Sequence, residues 1–209
     1  TKGWARTRTV YFAMSFSKAF KSYGHEKYDS IKYDGFYRRF EQKENFPEMA
    51  GKDIRAYFNF DTFEGEKIGI RMALSPVSTI GALKNLEAEV PEWDFNKIKQ
   101  QAKNKWNKEL SKIEVETMDS RQKVTFYTAL YHTNLSPILY EDVDGQYLGL
   151  DQNMHQSEGF TNYTIFSLWD TYRALHPLFN LTQTERNNDM IKSMLAHHDQ
   201  SVHHMLPIW

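Results

Sequence analysis

The sequence predicts an α+β chain in which strands come first and helices follow. β-Branched and aromatic residues alternate roughly over Thr7–Phe16 and Asp53–Asp61, as they do in half-buried strands. After about residue 78, apolar residues instead recur every three or four positions, which is the period of an amphipathic helix. Because strands and helices are segregated along the chain, we expect two domains, the first an antiparallel β-sandwich, joined by helices over 79–118.

The strand region is expected to contain a β-hairpin. A third strand is predicted over Lys67–Leu74, directly after the turn residues Glu64–Glu66, so that it would pair with Asp53–Asp61. Residues 17–52 are polar and turn-rich, with a turn predicted at Tyr33–Gly35. Three strands with a common apolar face indicate an antiparallel sheet.

The first three helices are predicted from their capping residues. Ser78 or Thr79 begins a helix that extends to about Glu89, and Asp94 and Asp119 cap the next two. The second helix has the clearest period, with apolar residues at Phe95, Ile98, Ala102, Trp106, Leu110 and Ile113. These helices are expected to connect the strand region to the rest of the chain.

Two more helices are predicted towards the end of the sequence. The third helix is expected to end at Pro137, and the pair Asp144-Gly145 predicts a hairpin turn in the irregular stretch that follows. A fourth helix is predicted over about Phe166–Leu175, where His176-Pro177 would stop it. A fifth is predicted over about Thr184–His198.

Composition excludes several classes of function. The 26 basic and 27 acidic residues give a net charge of -1, and we interpret the Lys-rich stretch Lys97–Lys108 as a solvated helix face, so no nucleic-acid partner is predicted. Without cysteine, a disulfide, a thiolate metal site and a Cys nucleophile are impossible. No run of about 18 apolar residues suggests a membrane span. The chain shows no signal peptide, and both ends are interpreted as cuts in a longer sequence.

Several short motifs favour an ordinary structural interpretation. Asn162–Thr164 and Asn180–Thr182 match glycosylation sequons, and we discount the first because it lies where an apolar helix begins. Asp142–Gly145 resembles the start of a calcium loop but lacks the later ligands, so a plain turn is favoured. Four histidines cluster near the last helix: His197, His198, His203 and His204. Neighbouring positions of a helix face different ways, so a surface helix end is favoured over zinc, and no metal ligand is assigned.

The segment Phe160–Pro177 is the strongest candidate for a binding site. Asp170 lies in an apolar, aromatic helix beside Trp169 and Tyr172, where a carboxylate must be paired or hydrogen-bonded. Its partner could be Arg173, three residues later, or a ligand with many hydroxyl groups. A carboxylate accepts two adjacent hydroxyls of a pyranose while an indole covers the apolar face of the ring. The spacing alone leaves both partners open.

The run Ser167–Arg173 resembles the S-L-W-D-T-Y-R signature of glycoside hydrolase family 92, the calcium-dependent exo-α-mannosidases of gut bacteria. Other segments are similar to that family in the same order: Phe12–Phe20, Asn85–Glu89, Trp106–Leu110, Phe126–Thr133 and Leu206–Trp209. Family members usually carry a Gly-rich turn before the last of these, whereas this sequence has Gln200–Met205. The resemblance therefore covers nearly the whole chain. It does not extend to the turn at Gln200–Met205, whose geometry it cannot predict.

The resemblance implies that the chain is an internal piece of a longer protein with several domains. Residues 1–78 would be the C-terminal part of an N-terminal β-sandwich, a supersandwich. Residues 79–118 would be the helical linker. Residues 119–209 would be the first helices of a catalytic (α/α)6 toroid. The parent protein would be secreted, periplasmic or on the bacterial cell surface.

The resemblance also implies a reaction, the calcium-assisted removal of terminal α-linked mannose from glycans with inversion. The catalytic acid and base would lie beyond Trp209, as would most calcium ligands, so no catalytic residue is expected in this chain and the fragment alone is expected to be inactive. Asp170 would bind hydroxyls of mannose, with Trp169 and Arg173 as weaker candidates beside it. A non-catalytic carbohydrate-binding module and a purely structural fragment are the alternatives. The sequence predicts no oligomeric state.

Overall fold

The computed structural model describes residues 9–27 and 54–206, which together form eight strands and six helices. In chain order the elements are β1 (Tyr11–Phe16), β2 (Ser22–Lys27), β3 (Ile54–Asn59), β4 (Ile70–Ser75), α1 (Thr79–Glu89), α2 (Phe95–Leu110), α3 (Ser120–Thr133), β5 (Ile138–Leu139), β6 (Gln146–Leu148), β7 (Met154–Gln156), β8 (Tyr163–Thr164), α4 (Leu168–Thr171), α5 (Leu175–Thr182) and α6 (Thr184–Gln200). The predicted turn at Tyr33–Gly35 and the last residues of Leu206–Trp209 lie outside the described residues.

The first four strands form two antiparallel ladders rather than the predicted hairpin. β1 pairs with β4, with Tyr11 opposite Ser75, and β2 pairs with β3. The expectation that Asp53–Asp61 pairs with Lys67–Leu74 is therefore wrong, because β3 and β4 each bond to an earlier strand. The turn with Gly65 does form, at a φ of 81°, but it joins strands of different ladders. β2 lies within the stretch that was expected to be turn-rich.

Aromatic side chains pack the two ladders together. The ring of Phe16 on β1 lies 4.7 Å from that of Phe58 on β3, measured between centroids, and 5.5 Å from that of Phe60. Phe20 adds a contact of 5.2 Å to Phe58. Such offset and tilted ring pairs contribute beyond simple burial of apolar area. The high aromatic content thus serves packing in this part of the chain.

Three helices begin at the predicted capping residues. The Ser78 hydroxyl accepts a hydrogen bond from the backbone of Gly81 at 2.9 Å, which satisfies one unpaired N–H of α1. Asp94 and Asp119 do the same for α2 and α3, at 3.0 and 2.9 Å. The third helix ends at Thr133, before Pro137. The apolar stripe of α2 contacts α3 through Trp106, whose ring lies 4.6 Å from that of Tyr131.

The later part of the chain mixes short strands with helices. β5 pairs with β8 and β6 pairs with β7, so strands do not occur only in the first part of the chain. The single helix predicted over Phe166–Leu175 is wrong, because α4 and α5 are separate and Pro177 lies in the first turn of α5. Proline is tolerated there because the first N–H groups of a helix need no acceptor within it. α6 occupies the predicted position and extends to Gln200.

A small apolar core holds the last three helices. Phe166, Phe179 and Met190 are almost fully buried and pack together, with Tyr163, Leu175 and Met194 around them. Phe166 immediately precedes α4, so this core also fixes the start of the candidate binding segment. No helix among the described residues is long and apolar enough to cross a membrane.

Candidate functional site

The candidate site is the exposed turn formed by α4. The buried Phe166 side chain anchors the chain on one side of this turn. The carbonyl oxygen of Ser167 then accepts three hydrogen bonds: from the backbone N–H of Asp170 at 3.0 Å, and from the backbone N–H and the hydroxyl of Thr171 at 3.0 and 2.9 Å. The backbone that carries Asp170 is therefore held by both packing and hydrogen bonds.

Asp170 is exposed, and within the chain its side-chain partner is Ser167 rather than Arg173. The Ser167 hydroxyl donates to Oδ2 of Asp170 at 2.6 Å. Arg173 instead donates from Nε to the hydroxyl oxygen of Tyr172 at 2.6 Å. The S-x-x-D spacing, which is common where helices begin, could have revealed Ser167 from the sequence. The ion pair with Arg173 that spacing allowed does not form.

Trp169 and Arg173 also lie exposed on this turn. Trp169 is 70% exposed and keeps most of its indole surface free. The Arg173 guanidinium lies 5.4 Å from the ring centroid of Tyr172. The structure thus brings an acceptor, an apolar ring and a cation together within five residues of exposed chain. Such a set can bind a polyhydroxylated ligand, but it contains a single carboxylate and so lacks an acid and base pair.

A second carboxylate, that of Asp142, is buried. The sequence predicted Asp142 only as a turn residue and gave no sign of this burial. Asp142 is 2% exposed, accepts from the Ser75 hydroxyl at 2.7 Å through Oδ2, and accepts from the Asn85 amide at 2.8 Å through Oδ1. Gly145 closes the predicted turn by donating to the Asp142 carbonyl at 2.8 Å. Asp142 therefore joins the end of β4, helix α1 and the turn 142–145, a set we call the Asp142 joint.

The Asp142 joint is reinforced at its surface by an ion pair. Lys84 Nζ lies 2.8 Å from Oδ2 of Asp144. This hydrogen bond raises the pKa of Lys84 and lowers the pKa of Asp144. Both carboxylates of the sequence that resembled a calcium loop are thus bonded to protein groups.

A third polar cluster surrounds the hairpin of β6 and β7. His155 Nε2 lies 3.0 Å from both carboxylate oxygens of Asp151, and its ring stacks on buried Tyr147 at 5.7 Å. Gln200, at the end of α6, donates to the Tyr147 hydroxyl at 2.9 Å. Burial raises the pKa of Tyr147 more than this bond lowers it. The cluster fixes the hairpin to the end of α6.

The histidines near the end of α6 diverge. His197 is buried against Phe166, with ring centroids 5.7 Å apart, so it does not belong to the expected surface helix end. Burial lowers the pKa of His197. His198 is oriented towards Asp199 at 2.9 Å and contacts His204. Within residues 9–27 and 54–206, no group of three or more His, Asp or Glu side chains is arranged to hold a metal ion.

Two further features lie apart from the α4 turn. Asn162 of the first sequon is fully buried and donates to the Tyr140 carbonyl at 2.9 Å, so its amide is inaccessible in the fold. An open groove of about 390 Å³ is lined by Leu110, Lys123, Val124, Tyr127, Thr128 and Tyr131. None of these lining residues belongs to α4.

Three solved structures with the same fold are family GH92 mannosidases. A family GH92 α-mannosidase from Bacteroides thetaiotaomicron superposes with a TM-score of 0.82 at 44% identity, over 97% of this chain and 27% of that one. The same enzyme in complex with mannoimidazole gives a TM-score of 0.82 at 43% identity, over 97% and 26%. A family GH92 inverting mannosidase from Bacteroides thetaiotaomicron VPI-5482 gives 0.77 at 30% identity, over 96% and 26%. The chain spans about a quarter of the length of these structures.

Sequence comparisons agree with the structural ones. An uncharacterized secreted glycosidase from Arthroderma benhamiae is 30% identical over 112 residues, which are 51% of this chain and 13% of that protein. The profile of the glycosyl hydrolase family 92 catalytic domain matches residues 81–209. The resemblance first seen at Ser167–Arg173 is thereby confirmed, and the chain belongs to glycosyl hydrolase family 92.

Proposed function

We propose that the protein containing these residues removes terminal α-linked mannose from glycans, and that Asp170 binds hydroxyls of that mannose. The observation that carries this proposal is an exposed carboxylate, ordered by Ser167 and not neutralised by Arg173, in the segment that carries the family signature. An ordered, exposed carboxylate without a cationic partner is suited to accept hydrogen bonds from a neutral ligand. Two adjacent sugar hydroxyls match its acceptor geometry.

Trp169 and Arg173 are proposed to complete the contact with the sugar. The exposed indole of Trp169 offers an apolar surface on which the C–H face of a pyranose can pack. Arg173 presents N–H donors next to the Tyr172 ring and can donate to further sugar oxygens. These two residues contribute less than Asp170, because neither is held by a network comparable to that of Ser167.

The chemical steps of the proposed reaction are assigned to residues outside this chain. Inversion requires a carboxylic acid and a carboxylate about 6.5–9.5 Å apart, one to protonate the leaving oxygen and one to activate water. The calcium proposed to assist the reaction would take most of its ligands from elsewhere in the protein. Residues around α4 would bind and orient the mannose.

We further propose a domain arrangement for this region of the protein. Residues 1–78 would belong to an N-terminal β-sandwich, residues 79–118 to a helical linker, and residues 119–209 to the start of an (α/α)6 toroid. The two antiparallel ladders support a separate strand-bearing part. The match of the family's catalytic domain to residues 81–209 begins close to the proposed end of that part and spans both the proposed linker and the proposed toroid. The secreted relative supports an extracytoplasmic location, which we propose to be periplasmic, extracellular or at the cell surface.

Hydrolysis of α-mannobioses by the full-length protein, with and without a calcium chelator, tests the proposed reaction. We expect Asp170→Ala to lower kcat/KM about 100-fold or more, because two hydrogen bonds to a charged group would be lost. Asp61→Ala is the matched control, since Asp61 is also exposed but pairs with Lys21 beside the ladder of β2 and β3. Mannose binding without hydrolysis would favour the alternative of a carbohydrate-binding module, and unchanged kcat/KM in Asp170→Ala would refute the assignment of Asp170.

A further inference from the structure

We propose that Ser167 is a positioning residue for Asp170: its hydroxyl holds one carboxylate oxygen so that the other faces the ligand. The inference rests on the proposed function of Asp170 as the residue that binds sugar hydroxyls. Ser167 donates to Oδ2 at 2.6 Å, a short bond typical of a hydroxyl that donates to a carboxylate. In the described part of the chain, no other side chain donates to Asp170. The orientation of the carboxylate therefore depends on this one bond.

The position of Ser167 itself is fixed on two sides. The preceding residue, Phe166, is 2% exposed and packs in the core with Phe179 and Met190. The carbonyl oxygen of Ser167 receives the three hydrogen bonds from Asp170 and Thr171 described above. Because the backbone of Ser167 is held in place, its hydroxyl has a fixed position. A hydroxyl in a fixed position can orient the side chain to which it donates.

The serine hydroxyl also departs from the usual role of a residue at the start of a helix. Such a hydroxyl normally accepts a hydrogen bond from a backbone N–H in the first turn. Ser167 precedes α4 but makes no such capping bond, and the N–H of Asp170 bonds to the Ser167 carbonyl instead. The hydroxyl is therefore committed to the carboxylate rather than to stabilising the helix.

The backbone just before this pair adopts an unusual conformation. Ile165 has a φ of 66°, in the left-handed region that β-branched residues rarely adopt. The Ser136 hydroxyl donates to the Ile165 carbonyl at 3.2 Å. Residues in such conformations persist where the surrounding fold determines them, and they occur often beside functional sites. The kink at Ile165 directs the chain from the partly buried strand β8 into the turn that carries Ser167 and Asp170.

A mutant cycle on the full-length enzyme tests this role. We expect Ser167→Ala to lower kcat/KM on an α-mannobiose about 10-fold, the effect of losing one hydrogen bond to a charged group. In an Asp170→Ala background the same change should lower kcat/KM less than about twofold, because the serine acts through the carboxylate. Ser167→Thr keeps the hydroxyl and should retain near-normal kcat/KM. Ser167→Val introduces a side chain of nearly the same shape as threonine but without the hydroxyl, and should lower kcat/KM as Ser167→Ala does.

Controls separate this inference from the proposed function. Ser111→Ala removes another serine hydroxyl with a local bond, to the Lys108 carbonyl at 3.1 Å, and should leave kcat/KM unchanged. If Asp170→Ala lowers kcat/KM but Ser167→Ala does not, or if Ser167→Ala acts equally in both backgrounds, the positioning role is refuted while the function of Asp170 stands. If Asp170→Ala has no effect, the proposed function of Asp170 fails, and this inference fails with it.

Discussion

Gly81 shows how closely helix α1 packs against the Asp142 joint. A Cβ added at Gly81 would overlap Oδ2 of Asp142 and lie 2.8 Å from the Ser75 hydroxyl oxygen. Both atoms belong to one buried hydrogen bond, which would have to be displaced to make room for the added Cβ. The glycine therefore allows a carboxylate and a hydroxyl to lie directly against the helix backbone.

We expect Gly81→Ala to destabilise the full-length protein by about 2 kcal/mol, the size of a typical overpacking effect. The sign of the change in unfolding free energy is diagnostic, because a Gly→Ala change within a helix ordinarily stabilises by about 0.5–1 kcal/mol. The shift of the urea midpoint measures it. Glu87→Ala, at an exposed position of the same helix, serves as control and should change the midpoint little. A higher midpoint for Gly81→Ala would contradict the packing described here.

His197 provides a second test at the scale of one residue. Burial lowers its pKa, so the folded protein takes up the proton at a lower pH than the unfolded chain does. The stability that neutral His197 confers is complete above its ordinary pKa of about 6.5 and is lost as the pH falls through the folded pKa. We expect His197→Gln to weaken the dependence of the urea midpoint on pH between pH 7 and pH 5, while His203→Gln at an exposed position leaves it unchanged. An unaltered pH dependence in His197→Gln would show that the ring titrates normally.

At the scale of elements, a polar network joins α2, α3 and α6. Lys112 donates to Glu109 at 2.7 Å and to Gln183 at 2.8 Å, and Gln183 donates to Glu109 at 2.6 Å and to Asn134 at 3.0 Å. Arg186 adds an ion-pair contact of 3.8 Å to Glu109. Burial acts to raise the pKa of Glu109, but the bonds from Lys112 and Gln183 outweigh it, so the pKa is lowered.

This network predicts a loss of stability in acid. A carboxyl whose pKa is lowered by folding stabilises the protein above its unfolded pKa of about 4.3, and this contribution is lost as the pH falls through the folded pKa. We expect the midpoint of urea unfolding to fall between pH 5 and pH 3, and Glu109→Gln to remove part of that fall. The control Glu87→Gln lacks these partners. If Glu109→Gln and Glu87→Gln gave the same acid profile, the network would not contribute.

The elements that the sequence predicted correctly depend on local bonds. The caps at Ser78, Asp94 and Asp119 bond to groups two or three residues away, so a short pattern suffices to find them. Strand pairing is different, since Tyr11 pairs with Ser75 across the intervening chain, and adjacency of two strands does not determine their partners. The single helix expected over 166–175 failed because residues after α4 leave the helical path before Pro177.

In the candidate site too, residues with nearby partners could be predicted from the sequence and residues with distant partners could not. Asp170 could be found from its unusual surroundings and from the family signature, and Ser167 was within reach through its spacing. The burial of Asp142 could not be found, because its partners Ser75 and Asn85 lie 67 and 57 residues away in sequence. A buried carboxylate with distant partners has the same local sequence as one in an exposed turn.

At the scale of the whole molecule, polar clusters connect segments of this chain to one another, while large apolar side chains stay exposed on its surface. The Asp142 joint and the polar network around Glu109, Lys112 and Gln183 are the two main polar clusters among the described residues. Phe95 is 78% exposed and Leu181 is 84% exposed. Apolar surface that is not covered within a chain marks contact with other protein or a liability for aggregation.

We therefore expect the 209-residue chain, expressed alone, to be poorly folded and inactive on α-mannobiosides. It spans about a quarter of the length of the family structures it matches, so the segments that would cover these faces in a longer protein are absent from the experiment. A broad thermal transition, binding of an apolar dye and elution as aggregates would agree with this expectation. The full-length protein, measured in parallel, should melt cooperatively and bind little dye. A sharp transition of the isolated chain, with monomeric elution, would show that the internal joints suffice for a stable fold.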